Sequence, residues 1–241
     1  MEVNVGEGEK YFFSTQAMSK KVFIWYAIIK KNNGGEIREI PKGFRYYDFS
    51  GIEKMNGSKE KLYCIDINSA YLSVLLRDKI LSEKDFNLIL SKSHKRHRLQ
   101  SVGMFAKNPI SIGFKNGVPM EFKTNSDPFQ WIFYHAVNET YLAMDKVKKA
   151  LLNDFLFYWV DGIFIRGDPQ RAVDILKECG FNSKIEEVKN FHIKEKFITF
   201  DKFSHSKSKF EKKILFLPQD KKMNKEEKKD LISQIKRAKL I

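Results

Sequence analysis

The chain has 241 residues, 42% hydrophobic and 14% aromatic, enough for one large domain or two small ones and too apolar for a disordered chain. Lys and Arg number 44 against 30 Asp and Glu, a net charge of +14. A field of that sign concentrates polyanions, so nucleic acid is the leading partner, with solubility alone as the alternative use of the charge. No run approaches the roughly 18 consecutive apolar residues of a membrane span, and residues 1–11 are acidic without the apolar stretch of a secretory leader. The composition therefore predicts a soluble, intracellular protein with no membrane partner. Cys64 and Cys179 stand at no zinc or redox spacing and read as buried thiols.

In chain order, residues 11–49 alternate apolar clusters with Lys pairs and break at Asn32-Asn33-Gly34-Gly35, which predicts a β-hairpin. Residues 62–67 form a short apolar strand ending in a carboxylate, followed by a helix over 69–76. Two helices over 82–90 and 93–105 suggest a helical hairpin, the second rich in Lys95, Arg96, His97 and Arg98. Asn116-Gly117 between apolar flanks predicts a tight hairpin. Asp127-Pro128 opens a long helix whose stripe runs Phe129, Phe133, Ala136, Val137, Tyr141, Met144, Val147 and Leu151, with Trp131 as a packing residue. A hairpin follows over 155–165 with Asp161 at its tip and Asp161-Gly162 as the turn dipeptide. Asp168-Pro169 caps another helix that stops at Gly180, and strands are expected over 184–188 and 192–199. From Asp201 the chain becomes a Lys-rich tail ending in a basic helix. The order fits an α+β domain, a mainly antiparallel sheet with helices on one face.

Asp66 and Asp161 are each placed where a sheet opens to solvent. Paired acidic side chains from different strands are what two-metal nucleotidyl transfer requires, and Mg²⁺ favours carboxylates completed by water and phosphate. On spacing alone, a helix N-cap role for Asp66 and a turn role for Asp161 explain the same residues. His94 and His97 lack further zinc-spaced partners and read as phosphate-facing or solvated. Tyr46-Tyr47-Asp48-Phe49-Ser50-Gly51 reads as core packing or, alternatively, as a base-stacking platform.

The segment Asp66-Ile67-Asn68-Ser69-Ala70-Tyr71-Leu72-Ser73-Val74 resembles motif A of B-family DNA polymerases, D-x-x-S-L-Y-P-S-I, with Ala70 for Leu and Leu72 for Pro. Trp159-Val160-Asp161-Gly162-Ile163 is similar to the motif C tail D-T-D-S-I, with Trp159 replacing the first aspartate. Between them, the segment from Arg96 to Gln100 and Ser101 resembles motif B, K-x-x-x-N-S-x-Y-G, without its Tyr-Gly pair. Lys184-Ile185-Glu186 and Lys194-Glu195-Lys196-Phe197 resemble the K-x-E strand and the K-K-R-Y segment that grips the primer. The order of these segments is the family's, and they cover about residues 61–200.

The resemblance, nearest to the protein-primed members, implies a minimal polymerase. Its parts would be a β-rich segment over 1–60, a palm over 61–200 with short two-helix fingers inserted at 77–106, and a basic thumb-like tail over 201–241. Asp66 and Asp161 would hold two Mg²⁺ or Mn²⁺ ions as catalytic ligands. Arg96 and Gln100 would bind the incoming triphosphate, with Lys95 and Arg98 to either side and Ser69 nearby, and Tyr71 would stack under a deoxyribose. Lys184, Lys194, Lys196 and Arg98 would contact DNA. The implied reaction is template-directed DNA synthesis from dNTPs on a primer 3′-hydroxyl. With 65 residues before Asp66, no proofreading is expected. A terminal protein and a processivity partner are further partners of this type of enzyme. The implied setting is the cytoplasm, that of a host if the gene is viral or plasmid-borne. Two alternatives stay open: an inactive palm that binds nucleic acid or a replication partner, and a primase or terminal transferase using the same chemistry.

Overall fold

The computed structural model describes residues 2–5, 9–12, 20–55, 61–106, 110–115, 118–124, 127–193, 197–204 and 208–216. Its elements are β1 (Glu2–Val5), β2 (Glu9–Phe12), α1 (Lys20–Asn32), β3 (Tyr47–Asp48), β4 (Leu62–Ile67), α2 (Ala70–Arg77), α3 (Glu83–Lys92), α4 (Lys95–Gly103), β5 (Ile110–Lys115), β6 (Val118–Thr124), α5 (Gln130–Ala150), β7 (Phe155–Trp159), β8 (Gly162–Arg166), α6 (Gln170–Glu178), β9 (Ser183–Ile193), β10 (Phe197–Ser204) and β11 (Lys209–Phe216). Seven strands form one sheet in the order β11-β10-β9-β4-β8-β7-β3, with every neighbouring pair antiparallel. A four-stranded sheet, β2-β1-β5-β6, contains one parallel pair, β1 with β5. The arrangement is α+β.

Strand periodicity divides the large sheet into two faces. Ile65, Ile67, Ile163 and Ile165 point to one side, where Leu72, Val74 and Leu75 of α2, Ala136, Met144 and Val147 of α5, and Ala172 and Leu176 of α6 cover them. Cys64, Phe164, Val188, Ile198 and Phe200 point to the other side and form a second cluster with Leu156 and Phe157. A register shift between Phe155 and Phe157 explains how β7 serves both faces. The bulge turns Leu156 and Phe157 toward the second cluster while Phe155 and Tyr158 face the helices. Phe157 stacks on Phe164 with ring centroids 4.1 Å apart.

The expected strands and helices over 62–76 and 155–178 are present. So are the hairpin of β5 and β6, whose Asn116-Gly117 turn lies outside the described residues, and the long helix α5 with Trp131 buried in the core. Five expectations are corrected. Residues 11–49 are not a hairpin. Val22, Trp25 and Ile29 recur at helical spacing and bury one face of α1, Lys30 and Lys31 complement its C-terminal end, and Gly34 and Gly35, both at positive φ, stop it. The helix at Asp127-Pro128 begins later, at Gln130. Asp127 turns the chain by accepting from the Phe129 N–H at 2.9 Å and also accepts from the Tyr26 hydroxyl. The strand over 192–199 is two strand ends, since β9 runs on to Ile193 and β10 begins at Phe197. α4 packs chiefly on α1, and just beyond its end the Phe105 ring lies 4.5 Å from that of Tyr26, so the two helices are not a simple hairpin. Cys64 is buried, whereas Cys179 is only half-buried at the end of α6.

The chain beyond Asp201 does not leave the sheet at once. β10 continues to Ser204, and β11 pairs with it along its length, from Phe197 opposite Phe216 to Ser204 opposite Lys209. The basic helix expected near the C-terminus lies outside the described residues. No described helix is long and apolar enough to cross a membrane.

Candidate functional site

β4 and β8 are neighbours, and their register sets Asp66 opposite Gly162, the first residue of β8. The turn joining β7 to β8 is Val160-Asp161, because Gly162 already pairs with Trp159; the expected Asp161-Gly162 turn is displaced by one residue. Ile67 N–H donates to the Asp161 carbonyl at 2.9 Å, which fastens this turn onto the end of β4. Asp66 and Asp161 thereby line one cavity of about 200 Å³ on the sheet face opposite the helices, with Trp159, Lys202 and Lys213 around them. Asp66 does not cap α2. Ser69 is the N-cap, which removes the helix-cap explanation for Asp66.

The turn that carries Asp161 and the one that follows the strand of Asp66 both hold a residue at positive φ. Ser69 at φ 51° and Val160 at φ 57° occupy the left-handed region, and for a β-branched residue this is a true outlier. Such conformations cost about 1–3 kcal/mol each and persist where the surroundings hold them. At Val160 the hold is visible, since its N–H donates to the Tyr46 carbonyl at 2.6 Å.

Charge is arranged unevenly around the pair. Burial, and next the negative charge of Asp66, raise the proton affinity of Asp161, against the opposing pull of Lys95. Asp66 has a cation of its own: Lys184, directly opposite on β9, places Nζ 3.3 Å from Asp66 Oδ2 and 3.0 Å from Glu186 Oε1. Glu186, 5% exposed, also binds Lys202 of β10 at 2.5 Å. Burial pushes the Glu186 carboxyl upward, but the hydrogen bonds from Lys202 and Lys184 outweigh it and hold it below the ordinary range. Burial likewise opposes the charge on Lys202, yet the carboxylates of Asp66 and Glu186 hold its pKa above the usual lysine value. The Cys64 thiol, fully enclosed beside this network, is pushed up to about 12 by burial, which leaves it protonated and unreactive.

Asp161 also lines a second, narrow cleft of about 20 Å³ with Ser69, Tyr71, Lys95, Arg98 and Leu99. The structure thus brings Ser69, Tyr71, Lys95 and Arg98 to Asp161 as expected, but on a different helix face from the one chosen. Arg96 is exposed and Gln100 half-buried, and neither lines the cleft. The reason is packing: Ser101 and Val102 are buried, and that rotation of α4 turns Lys95, Arg98 and Leu99 toward α2. Arg98 is held by a 2.7 Å bond to the Ser93 carbonyl. Tyr71 packs edge-on against Phe133, and its hydroxyl is raised by burial, then by Asp161 and Tyr46. Lys194 and Lys196 lie outside the described residues.

Sequence reasoning missed Lys202, Lys213 and the hub at Glu186. Lys184-x-Glu186 was visible as a pattern, but Lys202 arrives from β10, whose register against β9 shifts between Thr199 and Asp201.

No family model matches the chain, and no curated protein matches its sequence.

Among the described residues no group of three or more His, Cys, Asp and Glu side chains converges. Asp66 and Asp161 are therefore a two-carboxylate set. Such a set fits Mg²⁺ or Mn²⁺, hard cations that take one or two carboxylates and fill the remaining positions with water and substrate phosphate. The strained proton balance of Asp161 beside Asp66 is what a divalent cation would relieve.

Proposed function

We propose that this chain is a polymerase of the palm type that carries out template-directed DNA synthesis, as its resemblance to B-family enzymes implies. The observation that carries the reading is the register of β4 and β8, which puts Asp66 and Asp161 at one end of adjacent antiparallel strands on the face left open by the helices. Those two carboxylates would hold the divalent cations, which supply charge neutralisation at the transferring phosphate and acidify the attacking hydroxyl.

The remaining work falls to this chain's own side chains. Lys95 and Arg98 bind the triphosphate above the Asp161 turn, and the guanidinium offers two parallel donors to phosphate. Tyr71, fixed against Phe133, supplies the floor for the deoxyribose. In the reaction a primer 3′-hydroxyl loses its proton to solvent as its oxygen forms a bond to the α-phosphorus, the α–β bridging P–O bond breaks, and pyrophosphate leaves with the electron pair. Positioning and electrostatics supply most of the rate in such transfers. Lys184 contacts both Asp66, at 3.3 Å, and Glu186, at 3.0 Å, so Glu186 would remain its partner if Asp66 took a cation.

One observation favours the inactive palm instead: Trp159 stands at the cavity where the resembled family has an acidic residue. Primer extension separates the readings. A 5′-labelled primer on a DNA template, with dNTPs and Mg²⁺ or Mn²⁺, should lengthen in the order the template dictates. Untemplated tails would replace the polymerase with a terminal transferase, labelled products without primer would make it a primase, and no product in either metal would leave the binding palm.

A further inference from the structure

The turn that carries Asp161 is surrounded by aromatic side chains that the chemistry above does not use. Tyr46 accepts from Val160 N–H, and β3 pairs Tyr47 with Trp159, so the segment 44–50 is built directly onto that turn. The Trp159 ring stacks on Tyr47, with centroids 5.5 Å apart and an interplanar angle of 19°, and Trp159 lines the Asp66–Asp161 cavity. Phe49 closes the stack from below, 5.9 Å from Trp159, and packs into the second apolar cluster. Along the segment runs a groove of about 540 Å³ in which Tyr46 and Tyr47 are 37% and 40% exposed. Core packing, the favoured reading of these residues from sequence, holds for Phe49 and fails for the two tyrosines. Arg45, also exposed, lines the same groove.

We propose that this aromatic groove is a track for single-stranded nucleic acid, with unpaired bases stacking on Tyr47 and Trp159 and backbone phosphates meeting Arg45. The inference rests on the reading of Asp66 and Asp161 as a nucleotidyl-transfer site, because Trp159, a lining residue of that cavity, stacks on Tyr47 of the groove and so joins one to the other. Exposed ring faces accept any base, and an adjoining arginine supplies the charge that follows the backbone. A proline-rich peptide also docks on exposed aromatic rings. The net charge of +14 and the continuity with a phosphate-handling cavity favour the polyanion. The aromatic ring at 159 then has a use of its own: it trades a carboxylate for a stacking surface at the cavity mouth.

Tryptophan emission reads this directly. Trp25 and Trp131 are 6% and 1% exposed, so the half-buried Trp159 carries the response to a stacked base. A 12-residue oligothymidylate titrated into the full chain, in buffer without divalent metal or dNTP, should quench the emission. The quench should vanish in Trp159→Phe, and Tyr47→Leu should weaken binding about fivefold or more, as loss of one base–aromatic stack does. A blunt duplex of equal length, whose bases are unavailable, should quench far less. Equal quenching by the duplex, unchanged affinity in Tyr47→Leu, or equal quenching by a proline-rich peptide overturns the track. Where Trp159→Phe fails to fold by circular dichroism, Tyr47→Leu and the duplex comparison decide. Templated extension without quenching sinks the track and spares the polymerase; quenching without extension sinks the polymerase and spares the track.

Discussion

Glu186 is the residue on which the charge balance of the site turns, and Glu186→Gln tests it. The amide keeps the shape and an acceptor oxygen, so the perturbation is the loss of one buried negative charge between two lysines. Removing one partner of a buried ion pair costs about 3–5 kcal/mol, and an exposed pair about 0–1. Lys202, 19% exposed, stands near the first limit and Lys184, 43% exposed, near the second. A net loss of about 2–3 kcal/mol follows, which for a chain of this size lowers the melting temperature by about 4–12 °C. The pH dependence has a definite sign. The Glu186 carboxyl is held below its ordinary value, so its contribution is complete above about pH 4.3 and is lost as the pH falls through the folded-state value. Thermal melts of both proteins should differ by a constant amount from pH 8 to pH 6 and converge in acid. In the variant Lys184 has Asp66 as its remaining anion, so the Mg²⁺ concentration needed for half-maximal extension should rise. Melting within about 1 °C of the parent at pH 7, or a gap that persists unchanged to pH 3, would show that Glu186 does not carry this charge balance.

Lys95→Ala and Arg98→Ala should each raise the KM for dNTP by about 10- to 100-fold, the loss of a charge-assisted phosphate contact, while Arg96→Ala changes it less than about threefold; steady-state single-nucleotide incorporation measures all three. Gly51→Ala should destabilise strongly, since its Cβ would fall 2.2 Å from the Phe155 carbonyl oxygen where Gly51 N–H bonds to Leu156 O; a denaturant melt showing a loss under about 1 kcal/mol would contradict this. Asp161→Asn should stabilise the metal-free protein. The parent carboxyl has a raised pKa, so its ionisation costs stability above that value; the gain should grow as pH rises and vanish in acid. The same variant should lose the Mg²⁺-induced rise in melting temperature that the parent shows.

Much of the fold could be read from the chain because some patterns admit one period. The apolar run around Ile65 and the paired runs flanking Asp161 have strand length and turn-bounded ends, and the stripe from Phe129 to Leu151 holds a 3.6 period over six turns. α1 was obscured because Val22 to Tyr26 are five consecutive apolar residues, which hide the spacing of Val22, Trp25 and Ile29, and because Asn-Gly-Gly ends a helix as readily as it turns a hairpin. β11 was obscured by Lys209, Lys212 and Lys213, suited to the edge strand it is but not to an apolar alternation. At the site, Asp66, Asp161, Tyr71, Lys95 and Arg98 were legible from local motifs. The choice between the Arg96–Gln100 face and the Lys95–Arg98 face of α4 was not, because the burial of Ser101 and Val102 sets that rotation. Lys202 and Lys213 reach the cavity because β9, to which β10 and β11 are joined in turn, pairs with β4 far back in the chain, Lys184 opposite Asp66, which no local pattern encodes.

The central claim is that Asp66 and Asp161 act as one unit on a transferring phosphate. Single-nucleotide extension of a primed template, with each of the four dNTPs in turn, should be compared for the parent, Asp66→Ala, Asp161→Ala and the double variant. The parent should incorporate the complementary nucleotide. Each single variant should lose about a thousandfold or more, with little further loss in the double, as expected of residues that serve one site. Complementary incorporation that survives in either single variant, or losses that multiply in the double, would contradict it.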